Sequence, residues 1–220
     1  MSISEKAKMI INNVPKNVKI IAAAKTRSPE EIKEVVGAGI KNIGENYLQE
    51  SEDIILTLKE DIEWHFIGRL QKNKVKKVVN LFDMIQTVDS FNLCKEIDKR
   101  AKSIKKLMKI LIEVNIASES NKSGVLPENA ENLIKEISFF ENIEVLGLMT
   151  MGPFVEDGEL LRPFFKKAKK LFDSIKAQEI PNIKMKYLSM GMSSSYKVAV
   201  EEGANMIRLG TILFGERKYK

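Results

Sequence analysis

The chain reads as an α/β protein, a closed (β/α)8 TIM barrel, on three observations. Eight short apolar segments with strand character alternate with helical segments along 220 residues. No linker or low-complexity stretch interrupts them, so residues 1–220 read as a single domain. Polar side chains recur where the segments end. Such alternation builds βα units on a parallel sheet, and eight units in this length match a barrel whose active face is the carboxyl end of its strands. A doubly wound open sheet is the alternative topology.

The elements follow in order. Residues 3–13 carry Ile3, Ala7, Met9, Ile10 and Ile11 as an amphipathic helix closed before Pro15. Ile20 to Lys25 is a strand in which Ile21, Ala23 and Lys25 share one face. Ser28-Pro29-Glu30-Glu31 starts a helix, with serine as N-cap, proline at the first helical position and acid in the first turn. Gly37-Ala38-Gly39 ends it. Asn42 to Asn46 is a strand, Tyr47 to Lys59 a helix, Ile62 to Gly68 a strand, and Gln71 to Val79 a basic helix. Met84 to Val88 is the fourth strand, and Asp89-Ser90 opens a helix to Ser103. Ile110 to Val114 is the fifth, then a polar loop to Gly124 and a helix from Pro127 to Phe140. Val145 to Thr150 precedes a helix from Leu161 to Ala177; Lys186 to Ser189 precedes one from Ser193 to Glu202; Met206 to Leu209 is the eighth strand.

Composition excludes much chemistry. At 44% hydrophobic and 30% charged, the chain can bury a full core. One cysteine and one histidine form neither an internal disulfide nor a usual structural zinc site, so no metal is expected. Cys94 reads as a small core residue. No run is long and apolar enough to cross a membrane, and the first residues lack a signal-peptide layout; a cytoplasmic protein with no membrane partner is expected. The charge of +6 is mostly lysine on helices, at Lys72, Lys74, Lys76, Lys77, Lys99, Lys102, Lys105, Lys106 and Lys109. Without aromatic interleaving these read as solvated faces rather than a nucleic-acid site.

The strand ends carry the chemistry. A lysine at the end of a buried strand, as Lys25 is, is a nucleophile toward carbonyls when desolvated and a plain snorkelling side chain otherwise. Ser189-Met190-Gly191-Met192-Ser193 and Gly210-Thr211 offer hydroxyls and open backbone where barrels often bind phosphate; turn and capping roles explain the same residues. Arg208 lies within an apolar strand and needs an acceptor, either a ligand or an inward acid such as Glu113. An amine, a guanidinium and a phosphate site together match pyridoxal 5'-phosphate, whose aldehyde would form a Schiff base with Lys25.

Whole words of the chain carry a resemblance. These are Ala24-Lys25-Thr26, the run Gly44-Glu45-Asn46-Tyr47-Leu48-Gln49-Glu50, and Trp64-His65-Phe66-Ile67-Gly68-Arg69-Leu70-Gln71. Gly147-Leu148-Met149-Thr150, Leu188-Ser189-Met190-Gly191 and Ile207-Arg208-Leu209-Gly210-Thr211 continue it. In these the sequence resembles the pyridoxal-phosphate homeostasis proteins, single-domain relatives of alanine racemase. The resemblance implies a barrel of the alanine racemase N-terminal type with the cofactor on Lys25, Arg208 facing the pyridine nitrogen, and Gly210 and Thr211 with Ser189 or Ser193 holding the phosphate. Asn46 would line the ring. It implies a carrier in vitamin B6 and amino-acid homeostasis, with no catalytic residue assigned and apo-enzymes as possible recipients. Similar proteins usually carry an acid where this chain has Ser195, and often where it has Lys197; that loss removes favourable helix-start terms. His65, Trp64 and Phe66 read as core. The alternatives are an amino-acid racemase, for which Tyr47 and Tyr196 are the nearest second bases, and a Schiff-base aldolase.

Overall fold

Eight parallel strands pair in sequence order and close on themselves: β1 (Lys19–Ala23), β2 (Asn42–Glu45), β3 (Glu63–Phe66), β4 (Met84–Val88), β5 (Met108–Val114), β6 (Ile143–Thr150), β7 (Ile183–Ser189) and β8 (Met206–Leu209). Closure is the β8–β1 ladder, which sets Lys19 beside Met206 and Ile21 beside Arg208. This computed structural model describes residues 1–58, 60–155 and 157–216. Around the barrel run α1 (Ile3–Asn13), α2 (Pro29–Gly37), α3 (Leu48–Thr57), α4 (Val75–Leu81), α5 (Phe91–Ser103), α6 (Pro127–Ile137), α7 (Arg162–Lys176), α8 (Tyr196–Glu201) and α9 (Thr211–Phe214).

The main apolar layer lies between sheet and helices. Ala22, Ile43 and Ile207 of the strands meet faces such as Ile32 and Val35 of α2 there, all fully buried. Each such aliphatic side chain contributes about 1.5–3 kcal/mol over leaving it in water. Strand residues of the opposite phase point into the barrel, where Ile21, Met84, Leu111, Leu146, Met149 and Met206 pack together. That small plug fills the interior, as it must in a barrel of eight strands.

Several boundaries differ from the sequence expectation. β5, β6 and β7 begin two or three residues earlier, because pairing with a neighbour extends a strand beyond its apolar stretch. β6 carries a register shift on both sides, and Gly147 sits in it with φ of 140°. A Cβ at Gly147 would lie 1.9 Å from the Tyr187 carbonyl oxygen, so only glycine fits. α4 and α7 are each preceded by a 3-10 turn, at Lys72–Lys74 and Gly158–Leu161. α6 stops at Ile137, short of Phe140. The helix expected from Ser193 starts at Tyr196 instead. The predicted end of the third helix at Lys59 lies outside the described residues.

Candidate functional site

β1 ends at Ala23; the Ala24 amide still donates to the Gly44 carbonyl at 2.9 Å, and the Ala24 carbonyl accepts from the Arg27 amide at 2.9 Å, closing a turn that has Lys25 and Thr26 at its corners. Ile21 is in the interior plug, and Lys25 stands in the turn just beyond the carboxyl end of that strand. It is half-buried, and its Nζ donates to Tyr47 Oη at 3.0 Å while lying 4.5 Å from that ring's centroid. Thr26 follows in the left-handed region at φ 65°, a conformation that costs a threonine free energy and that its surroundings must hold. Arg27 supplies the hold. Its guanidinium donates to the Gly215 carbonyl at 2.7 Å and to Glu31 at 3.3 Å, tying the lysine loop to the end of α9. Nothing in the sequence marked Arg27, because, Glu31 apart, its partners lie 187 residues or more away at Phe214 and beyond.

Across the ladder, Gly210 stands beside Ala23, whose carbonyl oxygen is the first atom a Cβ there would meet, at 3.5 Å. The amides of Gly210 and Ile212 converge on Ser193 Oγ at 3.2 and 3.3 Å. That leaves the Ser193 proton free to donate outward, beside Thr211 at the start of α9. Asn46 directly follows β2, and Gly68 packs so closely on it that a Cβ would fall 2.0 Å from the Asn46 carbonyl oxygen. The β3 end thereby fixes the Asn46 backbone. Ser195 precedes α8 without capping it; its buried hydroxyl accepts from the Met192 amide at 3.2 Å.

Arg208 is buried among neutral acceptors. Nη1 donates to Ser189 Oγ at 2.7 Å and Nη2 to the Thr150 carbonyl at 3.0 Å, so these satisfy it rather than an ion pair with Glu113. Burial lowers its pKa to about 10, which still leaves it charged near neutrality. Glu113 feels that charge, yet burial and then Asp89 raise it to about 7. Ser189 also donates to Gln86 Oε1 at 2.7 Å. Both of its hydroxyl roles are thus spent inside the barrel, and the structure groups Ser189 with Arg208 while grouping Ser193 with Gly210.

Gln86 was missed by sequence reasoning. The signal was present, a glutamine in phase with Met84 within an apolar strand. His65 is fully buried, as are Cys94 and, nearly so, Trp64 and Phe66. Cys94 is a free thiol pushed up to about 12 by burial. Among the described residues no cluster of His, Cys, Asp or Glu is arranged to hold a metal ion, and no helix is long and apolar enough to cross a membrane. Of the lysines expected on helices, Lys106 lies instead in the connection between α5 and β5 and donates to the Val79 and Phe82 carbonyls at 2.9 and 2.7 Å.

The donor set fits pyridoxal 5'-phosphate. It offers one amine for an aldehyde, one permanently charged donor for a ring nitrogen, and hydroxyls with backbone amides for a phosphate.

Comparison with known proteins agrees. The family model described as alanine racemase, N-terminal domain, matches residues 2–218. A pyridoxal phosphate homeostasis protein of Aquifex aeolicus (strain VF5) is 46% identical over 202 residues, covering 91% of this chain and 88% of that one. PipY of Synechococcus elongatus PCC7942, solved with PLP bound, superposes with a TM-score of 0.90 at 31% identity over 97% of this chain and 100% of that one. An alanine racemase of Clostridium difficile 630 shares the barrel alone, with a TM-score of 0.83 at 17% identity over 100% of this chain and 58% of that one. The chain therefore belongs to the alanine racemase N-terminal domain family, among its pyridoxal phosphate homeostasis proteins.

Proposed function

We propose that this protein binds pyridoxal 5'-phosphate through Lys25 and holds it reversibly, as a carrier in vitamin B6 and amino-acid homeostasis. The observation that carries the reading is the placement of Lys25, Arg208 and the Ser193–Gly210–Ile212 amide cluster on adjoining strand ends. When bound, the cofactor supplies an aldehyde that condenses reversibly with amines. Lys25 Nζ is the protein's amine. Ser193 and Thr211 hold the phosphate, with the Gly210 amide orienting Ser193 Oγ from behind, and Asn46 lines the ring. Arg208 would donate a hydrogen bond to the ring nitrogen without transferring its proton, which would leave the ring a weak electron sink. That favours storage over carbanion chemistry. Ser189 serves the site from beneath, through Arg208.

Two further features support a carrier over a racemase. Racemisation by two bases needs one on each face of the substrate, whereas Tyr47 Oη sits 3.0 Å from Lys25 Nζ. Tyr196 is buried in α8. The proposal includes release to apo-enzymes in a cytoplasmic setting, where the single cysteine stays a buried free thiol.

The test is the visible spectrum of purified protein titrated with the cofactor, beside Lys25→Ala, followed by borohydride trapping and peptide mapping. A band present in the wild type and lost in the variant, with the trapped label on Lys25, is expected. No band in either protein, or label chiefly on another lysine, overturns the assignment.

A further inference from the structure

Behind Arg208, a line of polar side chains crosses the apolar interior toward the opposite pole of the barrel. Arg208 Nη1 is 2.7 Å from Ser189 Oγ, and Ser189 Oγ is 2.7 Å from Gln86 Oε1. Gln86 Nε2 is 2.9 Å from His65 Nδ1. His65 Nε2 faces Glu63 Oε1 at 3.6 Å, and Lys19 holds the other oxygen of that carboxylate at 2.6 Å. Lys109 approaches Glu63 at 3.9 Å. Ser189, Gln86 and His65 are 0% exposed. They come from three different strands, β7, β4 and β3, and of their buried polar atoms His65 Nε2, facing Glu63, is the one without a partner at hydrogen-bond distance.

The donors can be ordered. A guanidinium only donates, so Ser189 accepts from Arg208 and sends its own proton to Gln86 Oε1. The amide N–H of Gln86 then points at Nδ1, which must be bare, and the ring proton sits on Nε2 facing the Glu63 carboxylate. The reverse setting fails twice. With the amide flipped, Ser189 would receive two donors and find no acceptor for its proton. A bare Nε2 lone pair would then confront a carboxylate.

We propose that Gln86 and His65 are positioning residues: a one-way chain of donors, Arg208 to Ser189 to Gln86 to His65, fixes the guanidinium and, with Nε2 turned toward the Glu63 carboxylate, locks His65 as its neutral Nε2–H form. Glu63 and Asp83 favour a charged ring while Lys19 opposes one, and burial, the largest effect, keeps it uncharged. The aim of Arg208 at a pyridine nitrogen rests on the function proposed above; the order of the donors does not.

Because the chain has one histidine, labelling with 15N-histidine gives one ring to observe. In the cofactor-free protein, nitrogen spectra should show the proton on Nε2 and no titration between about pH 5 and 8. A proton on Nδ1, or an ordinary histidine titration in that range, overturns the relay. A second arm uses His65→Leu, Gln86→Leu and His65→Asn, the last keeping an acceptor near the Nδ1 position. The two leucine variants should bind pyridoxal 5'-phosphate about 5- to 30-fold more weakly, with a shifted absorption maximum, and His65→Asn should stay within about threefold of wild type. Unchanged affinity and maximum in all three, with only thermal stability lowered, would reduce the line to core packing. The nitrogen spectra need no cofactor, so a wrong relay and a wrong cofactor fail in different experiments.

Discussion

Glu45, Glu63 and Glu113 share a side chain and differ entirely in electrostatics. The His65 contact and Lys19 hold Glu63 well below the usual carboxylate range. Burial raises Glu113 to about 7, against the pull of Arg208 and Arg69. Burial raises Glu45 further, to about 8, with Glu50 adding to the rise and the Asn46 amide opposing it. Glu45 is 1% exposed, and its Oε2 has no hydrogen-bond partner, so the folded protein prefers it protonated. The folded state binds this proton more tightly than the unfolded chain, so the contribution is complete below about pH 4.5 and disappears as pH rises through about 8. A shift this large corresponds to roughly a few kcal/mol. Glu45→Gln removes the titration and leaves Glu113 in place. Its melting temperature should therefore gain on wild type as pH is raised from about 5 to about 8.5. Parallel curves for the two proteins would refute the assignment. Glu45 was legible only as part of a family word, since its burial under α3 is a tertiary fact.

The start of α2 is written in local chemistry. Ser28 Oγ accepts from the Glu31 amide at 3.3 Å, and Glu31 Oε2 accepts from the Ser28 amide at 2.9 Å, with Pro29 at the first position. This capping box needs nothing outside four residues, so the helix start was legible in the sequence, and the structure adds the reciprocal bond from Glu31. Ser28→Ala should cost about 1 kcal/mol in denaturant unfolding. Cofactor affinity should stay within experimental error, because Glu31 Oε1 still engages Arg27; a marked loss of affinity would show that the cap itself sets the lysine loop. The start of α8 is the converse case. Ser193, Ser194 and Ser195 resemble caps, yet Ser193 accepts from amides beyond the next strand and Ser195 from the amide of Met192. Composition there signalled hydrogen bonding and could not say with whom. The early starts of β5, β6 and β7, and the bulge at Gly147, likewise depend on neighbours remote in sequence.

At the scale of the molecule, eight alternations of strand and helix made the barrel legible, because each βα unit repeats one local pattern. Reading the carboxyl ends of those strands then located Lys25, Asn46, Arg208 and Gly210 at one pole before any contact was known. What stayed hidden depends on closure. The interior line from Arg208 to Glu63 exists only because β8 returns to β1 and brings β3, β4 and β7 around a common axis. Arg27 is the same lesson on the outer rim, joining the first strand's loop to the end of α9. These ties have a thermodynamic consequence. A ligand that bridges β1 and β8 binds the closed barrel and not the unfolded chain, so it must stabilise the fold by mass action. At a free concentration near 100 times Kd that amounts to about 2.7 kcal/mol, or roughly 5–10 °C in melting temperature for a chain of this size. Pyridoxal 5'-phosphate should produce that rise in wild type and little of it in Lys25→Ala at the same concentration. Pyridoxal, which lacks the phosphate, should fall between them in wild type if the Ser193 and Gly210 cluster holds that group. An equal rise in wild type and variant would mean that the stabilising contacts lie elsewhere than the amine at the end of β1.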